Sequence, residues 1–185
     1  MPAAIQQSQM ESDRLSAIKT IDSEIRAIEE LKKSLDAESL TKALDFMQNS
    51  TGRIIITGMG KSGHIGKKIA ASLASTGTPS FFVHPAEASH GDLGMITDDD
   101  VVIAISNSGE SRELIDILNY CKRFGIKLIA ITKNQDSSLG KAGDVVLLLP
   151  NNGEACPLGL APTSSTTATL VLGDILTIRM IERKG

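Results

Sequence analysis

The sequence contains no tryptophan and one tyrosine, and aromatic residues make up 3% of its 185 positions. Proteins that hold single-stranded nucleic acid stack its bases on aromatic side chains, so this composition argues against that class. There is no cationic surplus either: 19 Lys and Arg face 22 Asp and Glu, a net charge of −3. That balance argues against a general binder of phosphate backbones. Two cysteines, Cys121 and Cys156, are too few for a disulfide scaffold and lack the spacing of metal ligands. The stretch from Met1 to Arg14 is polar and carries no apolar signal segment. No uninterrupted apolar run reaches the roughly 18 residues that a membrane span requires. These absences leave a soluble, cytoplasmic, single-domain protein as the expectation, with neither nucleic acid nor membrane as partner.

With so few aromatics, the core must be built from Ile, Leu, Val and Ala. Residues 1–11 read as a tail, 12–50 as a helical arm and 53–185 as the body of the domain. In the arm, Leu15, Ile18, Ile21, Ile25, Ile28, Leu31 and Leu35 fall in steps of three and four, the stripe of an amphipathic helix. Such a stripe either seals the domain's own sheet or pairs with another subunit. A second helical stretch carries Leu40, Ala43, Leu44 and Met47. After Gly52 the period changes to short, mostly apolar runs at 53–57, 80–84, 100–106, 127–132 and 144–149, the pattern of strands buried on both faces. Helical segments are expected at 65–76, 92–97, 114–124, 137–142 and 164–182. Strand-helix alternation at this spacing predicts right-handed crossovers and a parallel sheet. The fold class is therefore α/β: a three-layer, doubly wound sandwich around a five-stranded parallel sheet, with an N-terminal helical arm.

Ligands of open parallel sheets gather beyond the carboxyl ends of the strands. The first loop there, Gly58-Met59-Gly60-Lys61-Ser62-Gly63, has the glycine spacing of a dinucleotide turn. The second strand runs into His84-Pro85, however, where such a site needs a carboxylate. What remains is a turn that brings Lys61, Ser62 and backbone amides to the sheet edge. A second loop, Ser106-Asn107-Ser108-Gly109-Glu110-Ser111, clusters hydroxyl and amide donors at a helix start and suits a phosphomonoester. A third, Thr163-Ser164-Ser165-Thr166 after Pro162, makes another oxygen-rich helix N-terminus. The loop beyond the second strand holds His84 and His90. His90 reads as a titrating group in a site, and His64 as structural. Glu113 and Glu154 supply carboxylates at the same edge.

The stretches Gly58-Met59-Gly60-Lys61-Ser62-Gly63-His64-Ile65-Gly66 and Ser106-Asn107-Ser108-Gly109-Glu110-Ser111 resemble the sugar isomerase (SIS) domain, as does the run from Glu154 to Thr166. With Phe82-Val83-His84-Pro85 and His90-Gly91-Asp92-Leu93-Gly94-Met95, the chain is most similar to the arabinose 5-phosphate isomerase branch of that family. The resemblance spans residues 12–185. It implies interconversion of D-ribulose 5-phosphate and D-arabinose 5-phosphate, on the route to 3-deoxy-D-manno-octulosonate and lipopolysaccharide, by a homotetramer that requires no cofactor. Lys61, Glu113 and Glu154 match catalytically relevant positions of the family. His84 and His90 match substrate-site histidines, and His84 also a zinc contact, with zinc either bound or inhibitory. Ser106, Ser108, Ser111, Thr163, Ser164, Ser165 and Thr166 match the phosphate seat, joined by Ser62 and Asn107 from the loop reading. Gly77 and Thr78 match a further substrate contact. Family members commonly continue into paired CBS regulatory domains and a Ser-His-Pro-Gly-Gly segment, neither of which occurs in these 185 residues.

The implied chemistry is aldose-ketose isomerisation through a cis-enediol. Glu154, or else Glu113, is expected to move the carbon proton, His90 the oxygen protons, and Lys61 to stabilise the enediolate oxygen. Two alternatives stand beside it. One is a phosphosugar-sensing SIS module of a transcription regulator. The other is an SIS isomerase of another substrate, such as sedoheptulose 7-phosphate or hexulose 6-phosphate.

Overall fold

The computed structural model describes residues 3–185. Its first element, α1 (Ala3–Ser34), runs unbroken from the first described residue. Residues 3–11 therefore continue the helix instead of forming the expected separate tail, and Met1 and Pro2 lie outside the described residues. The physical reason is local. This stretch holds Ala, Gln, Met and Glu, all good helix formers, with neither Gly nor Pro from Ala3 to Leu35. Spaced pairs such as Gln9–Asp13 and Arg14–Glu11 support it from outside. The break comes at Asp36, whose carboxylate accepts from Ser39 N at 2.7 Å and caps α2 (Ala37–Asn49).

Five strands follow: β1 (Ile54–Gly58), β2 (Ser80–Phe82), β3 (Val101–Ile105), β4 (Lys127–Thr132) and β5 (Val145–Leu148). All pairings are parallel, in the order β2-β1-β3-β4-β5. Between them lie α3 (Gly60–Ser75), α4 (Pro85–Ala88), α5 (Ile115–Phe124) and α6 (Ser138–Ala142), and α7 (Ser164–Lys184) closes the chain. β2 stops two residues short of its expected end because Pro85 starts α4, where its missing N–H costs nothing. The helix expected at 92–97 is a 3-10 turn, Asp92–Met95.

Alternate side chains of each strand enter opposite cores. Ile54, Ile56, Ile103, Ile105, Ile129 and Ile131 pack under α1, α2, α3 and α7. Ile55, Val102, Ala104, Leu128 and Ala130 pack under α4, α5 and α6. The predicted three layers are thus present. The chain leaves β1 toward β2 on one side and returns to β3 on the other, so the topological switch lies between β1 and β3. Register pairs Gly58 with Ile105, which ends these strands side by side.

The arm's stripe faces outward. Leu31 is buried at 1%, but Leu15, Ile18, Ile21, Ile25 and Ile28 lie between 37% (Ile28) and 57% (Ile21) exposed. α1 meets α7 through smaller and polar groups instead: Ala27 is buried, Ser23 pairs with Ser164, and Glu24 accepts from Thr167. At the amino edge, Asp100 is 2% exposed and accepts from Arg53 N (2.7 Å), Thr97 N (2.8 Å) and the Arg53 guanidinium (3.3 Å). Among the described residues, no helix is long and apolar enough to cross a membrane.

Candidate active site

The glycine turn after β1 is shaped by close approach. A Cβ on Gly63 would stand 2.5 Å from the Gly58 carbonyl oxygen, and Gly60 holds φ at +53°. α3 then starts without a side-chain cap, which leaves first-turn amides free to meet a ligand. Lys61 and Ser62 from this turn, Asn107 from the loop after β3, and Ser165, Thr166 and Thr169 from α7 line one cleft of ≈160 Å³. Three sequence-distant loops named beforehand are thereby brought together at the switch point. Thr169 was missed: it lies one helical turn past the hydroxyl run and nothing local distinguishes it.

The serine turn after β3 is tightly folded. Ser106, 3% exposed, shares a hydrogen bond with Ser111 Oγ at 2.8 Å and accepts from Gly109 N at 3.1 Å. Ser108 Oγ accepts from Glu110 N at 3.2 Å, and Gly109 takes φ +75°. The turn opens a 3-10 segment, Arg112–Leu114, that leads into α5. The turn thus gathers three serine hydroxyls at the start of that segment.

At α7 the finding differs from expectation. The Glu154 carboxylate already occupies the helix start: Oε2 accepts from Thr163 N (2.8 Å), Thr163 Oγ1 (3.1 Å) and Ser165 N (3.2 Å). Burial alone would raise its pKa, but the donors of Ser165 and Thr163 outweigh that and hold the carboxyl below its usual range. Thr166 Oγ1 turns back to the Thr163 carbonyl at 2.8 Å. Ser164 is fully buried and bonded to Ser23 of α1, so its side chain looks away from the cleft. The start of α7 is therefore already taken by a carboxylate of this chain.

Gly77 and Thr78 are not brought to this edge. They precede β2 at the amino end of the sheet, where Lys184 donates to the Gly77 carbonyl and to Thr78 Oγ1. Glu113 and His90 stand exposed on turns of the carboxyl side, without a side-chain hydrogen bond among the described residues. His84 heads α4, and with His64, Lys67 and Phe82 it lines a recess of ≈80 Å³ against the glycine turn. His64, expected to be structural, is exposed on that recess. Among the described residues no group of three or more His, Cys, Asp or Glu side chains is placed to hold a metal ion. His84 and His64 are two imidazoles beside a lysine, with no carboxylate or thiolate to complete the set, and this lining does not fit a zinc site of three or four protein ligands.

Among the described residues, the buried side-chain polar atoms without a partner are Thr57 Oγ1, His84 Nδ1 and Asn107 Oδ1. They sit at the carboxyl ends of β1, β2 and β3, three adjacent strands. Unpaired buried polar atoms are rare and costly, so their confinement to one edge marks where a polar ligand belongs.

The fold and these loops define an α/β domain with an oxygen-rich cleft at its switch point, and its likeness to known proteins gives it a family. The model of the SIS domain matches residues 47–179, and the chain belongs to that family. A curated relative, the arabinose 5-phosphate isomerase KdsD of Pseudomonas aeruginosa, is 56% identical over 170 residues. That alignment covers 92% of this chain and 52% of the relative, so the chain spans about half the length of the curated relatives it matches. The c3406 protein of E. coli CFT073, solved in complex with arabinose 5-phosphate, is 43% identical with a TM-score of 0.88, covering 94% of this chain and 92% of that one. The Vibrio vulnificus NanR protein, complexed with ManNAc-6P, shares the fold at TM-score 0.78 and 20% identity, over 97% of this chain and 66% of that one.

Proposed function

We propose that this chain is the isomerase part of an arabinose 5-phosphate isomerase, interconverting D-ribulose 5-phosphate and D-arabinose 5-phosphate through a cis-enediol. The observation that carries the reading is the cleft at the β1–β3 switch point. It joins a cation (Lys61), serine hydroxyls (Ser62, Ser165) and an unpaired acceptor (Asn107 Oδ1). Such a mixture suits a ligand that carries both negative charge and hydroxyl groups. The identity to KdsD and the likeness to a protein solved with arabinose 5-phosphate support the particular substrate.

In this mechanism the serine turn holds the phosphate and so orients the carbon chain. Glu154 is the carbon base. Its Oε2 is committed to α7, while Oε1 accepts no hydrogen bond among the described residues. The same bonds keep it ionised at neutral pH and fix its direction. Lys61 stabilises the enediolate oxygen, and His90 moves oxygen protons. Glu113, on an exposed turn, is second choice for the base. The protein works in the cytoplasm on the route to 3-deoxy-D-manno-octulosonate, without a cofactor, as a homotetramer. The uncovered Ile stripe of α1 favours self-association.

The test is turnover of D-arabinose 5-phosphate by the 185-residue protein beside Glu154→Gln. Turnover in the parent, lost in the variant with binding retained, is expected. A variant that turns over at the parent rate would remove Glu154 from the chemistry, and a parent that neither binds nor converts the sugar would sink the substrate.

A further inference from the structure

The serine turn is anchored to the segment that follows β4. Lys133 N and Thr132 Oγ1 donate to the Asn107 carbonyl at 3.1 and 3.3 Å. Leu139 N donates to the Gly109 carbonyl at 3.0 Å. A Cβ on Gly109 would stand 1.9 Å from Ser137 Oγ, so the Gly109 backbone is pressed against the Ser137 side chain. The remaining anchor is a side chain. Glu110 Oε1 accepts from Ser138 N at 2.9 Å, and Oε2 accepts from Ser138 Oγ at 2.7 Å.

Glu110 is next to Ser111 in sequence and two residues from Ser108, so its charge is carried by the same turn that would hold the phosphate. A free carboxylate there would repel a phosphate dianion. Both of its oxygens are instead turned onto the start of α6. The Glu110 N–H donates to Ser108 Oγ, so the residue holds the turn from its backbone as well as from its side chain.

We propose that Glu110 is a positioning residue for phosphate recognition: by accepting both donors of Ser138 it fixes the serine turn and keeps its own charge away from the phosphate. The inference rests on the phosphosugar reading above.

Steady-state kinetics of the parent, Glu110→Ala, Glu110→Gln and Ser138→Ala test it, with D-arabinose 5-phosphate as substrate and inorganic phosphate as competing probe. Losing two bonds to an exposed charged group predicts that Glu110→Ala raises KM and the phosphate inhibition constant together by about tenfold. kcat stays within about threefold. Glu110→Gln, which keeps one acceptor oxygen, falls between. Ser138→Ala gives a smaller rise of the same kind and adds nothing in the Glu110→Ala background. Parent values of KM and inhibition constant in Glu110→Ala overturn the proposal, as does a fall in kcat with KM unchanged or full additivity with Ser138→Ala. Should Glu110→Ala fail to fold, Glu110→Gln and Ser138→Ala carry the same comparison. A parent that shows neither turnover nor inhibition by phosphate refutes the phosphosugar reading, which is a different failure.

Discussion

Truncating Asp100 to Ala should cost stability and leave the chemistry alone. The carboxylate is 2% exposed at the amino edge, where it receives two backbone amides, Thr97 Oγ1 and the Arg53 guanidinium. Its removal leaves the Arg53 and Thr97 amides without an acceptor and the guanidinium without its counter-charge. Breaking a buried, hydrogen-bonded pair of this kind costs about 3–5 kcal/mol; because Arg53 is part-exposed, about 3 kcal/mol is the better figure. For a chain of this size that is a fall of roughly 6–12 °C in Tm. The pH dependence has a definite sign. Burial pushes the Asp100 carboxyl up, but its donors from Thr97 and Arg53 prevail and hold it below its ordinary value. Its stabilisation is therefore complete above the unfolded pKa, about 3.9, and is lost as pH falls through the lower folded value. Thermal unfolding at pH 7 and along the acid limb measures both, and the variant should show a shallower acid limb than the parent. Turnover per folded molecule at 25 °C should match the parent, because the cleft lies at the other end of the strands. A Tm shift under about 3 °C, or an acid limb identical to the parent's, would refute the argument.

Two further outcomes are expected. Ile21→Glu with Ile25→Glu, both on the outward stripe of α1, should reduce the molecular mass in light scattering to that of a smaller species while the circular dichroism stays native; an unchanged mass would assign the contact to another surface. Cys156, whose pKa is lowered by the amides of Ala161, Leu158, Leu160 and Gly159, should react with a thiol reagent in the native protein, whereas Cys121, pushed up to about 12 by burial, should react only on unfolding; equal rates for the two would refute this.

Much of the fold is legible in the sequence because buried parallel strands leave continuous apolar runs, and glycine and serine turns mark their ends. The switch point is legible for the same reason, since Lys61, Ser62 and Asn107 follow strands directly. What is not legible depends on direction and distance. A stripe of isoleucines looks the same whether it faces the sheet or solvent, and only the packing of Ser23, Glu24 and Ala27 on α7 shows that it faces outward. Glu154 and Thr163 are nine residues apart, and the loop that returns one to the other has no local signature. Ser164 shares its residue type with Ser165 but points about 100° away around the helix, onto α1. Gly77 and Thr78 show that a motif can lie close to a site loop in sequence and still fold to the opposite edge.

The contact of Lys184 with Gly77 and Thr78 bears on how the protein can be handled. It seats the last turn of α7 at the amino edge, while the cleft opens at the carboxyl edge. A sensor chip, bead or fluorophore coupled at that end would stand behind the sheet, on the side away from the ligand's approach. Immobilisation there should leave the on-rate of a phosphosugar as it is in free solution.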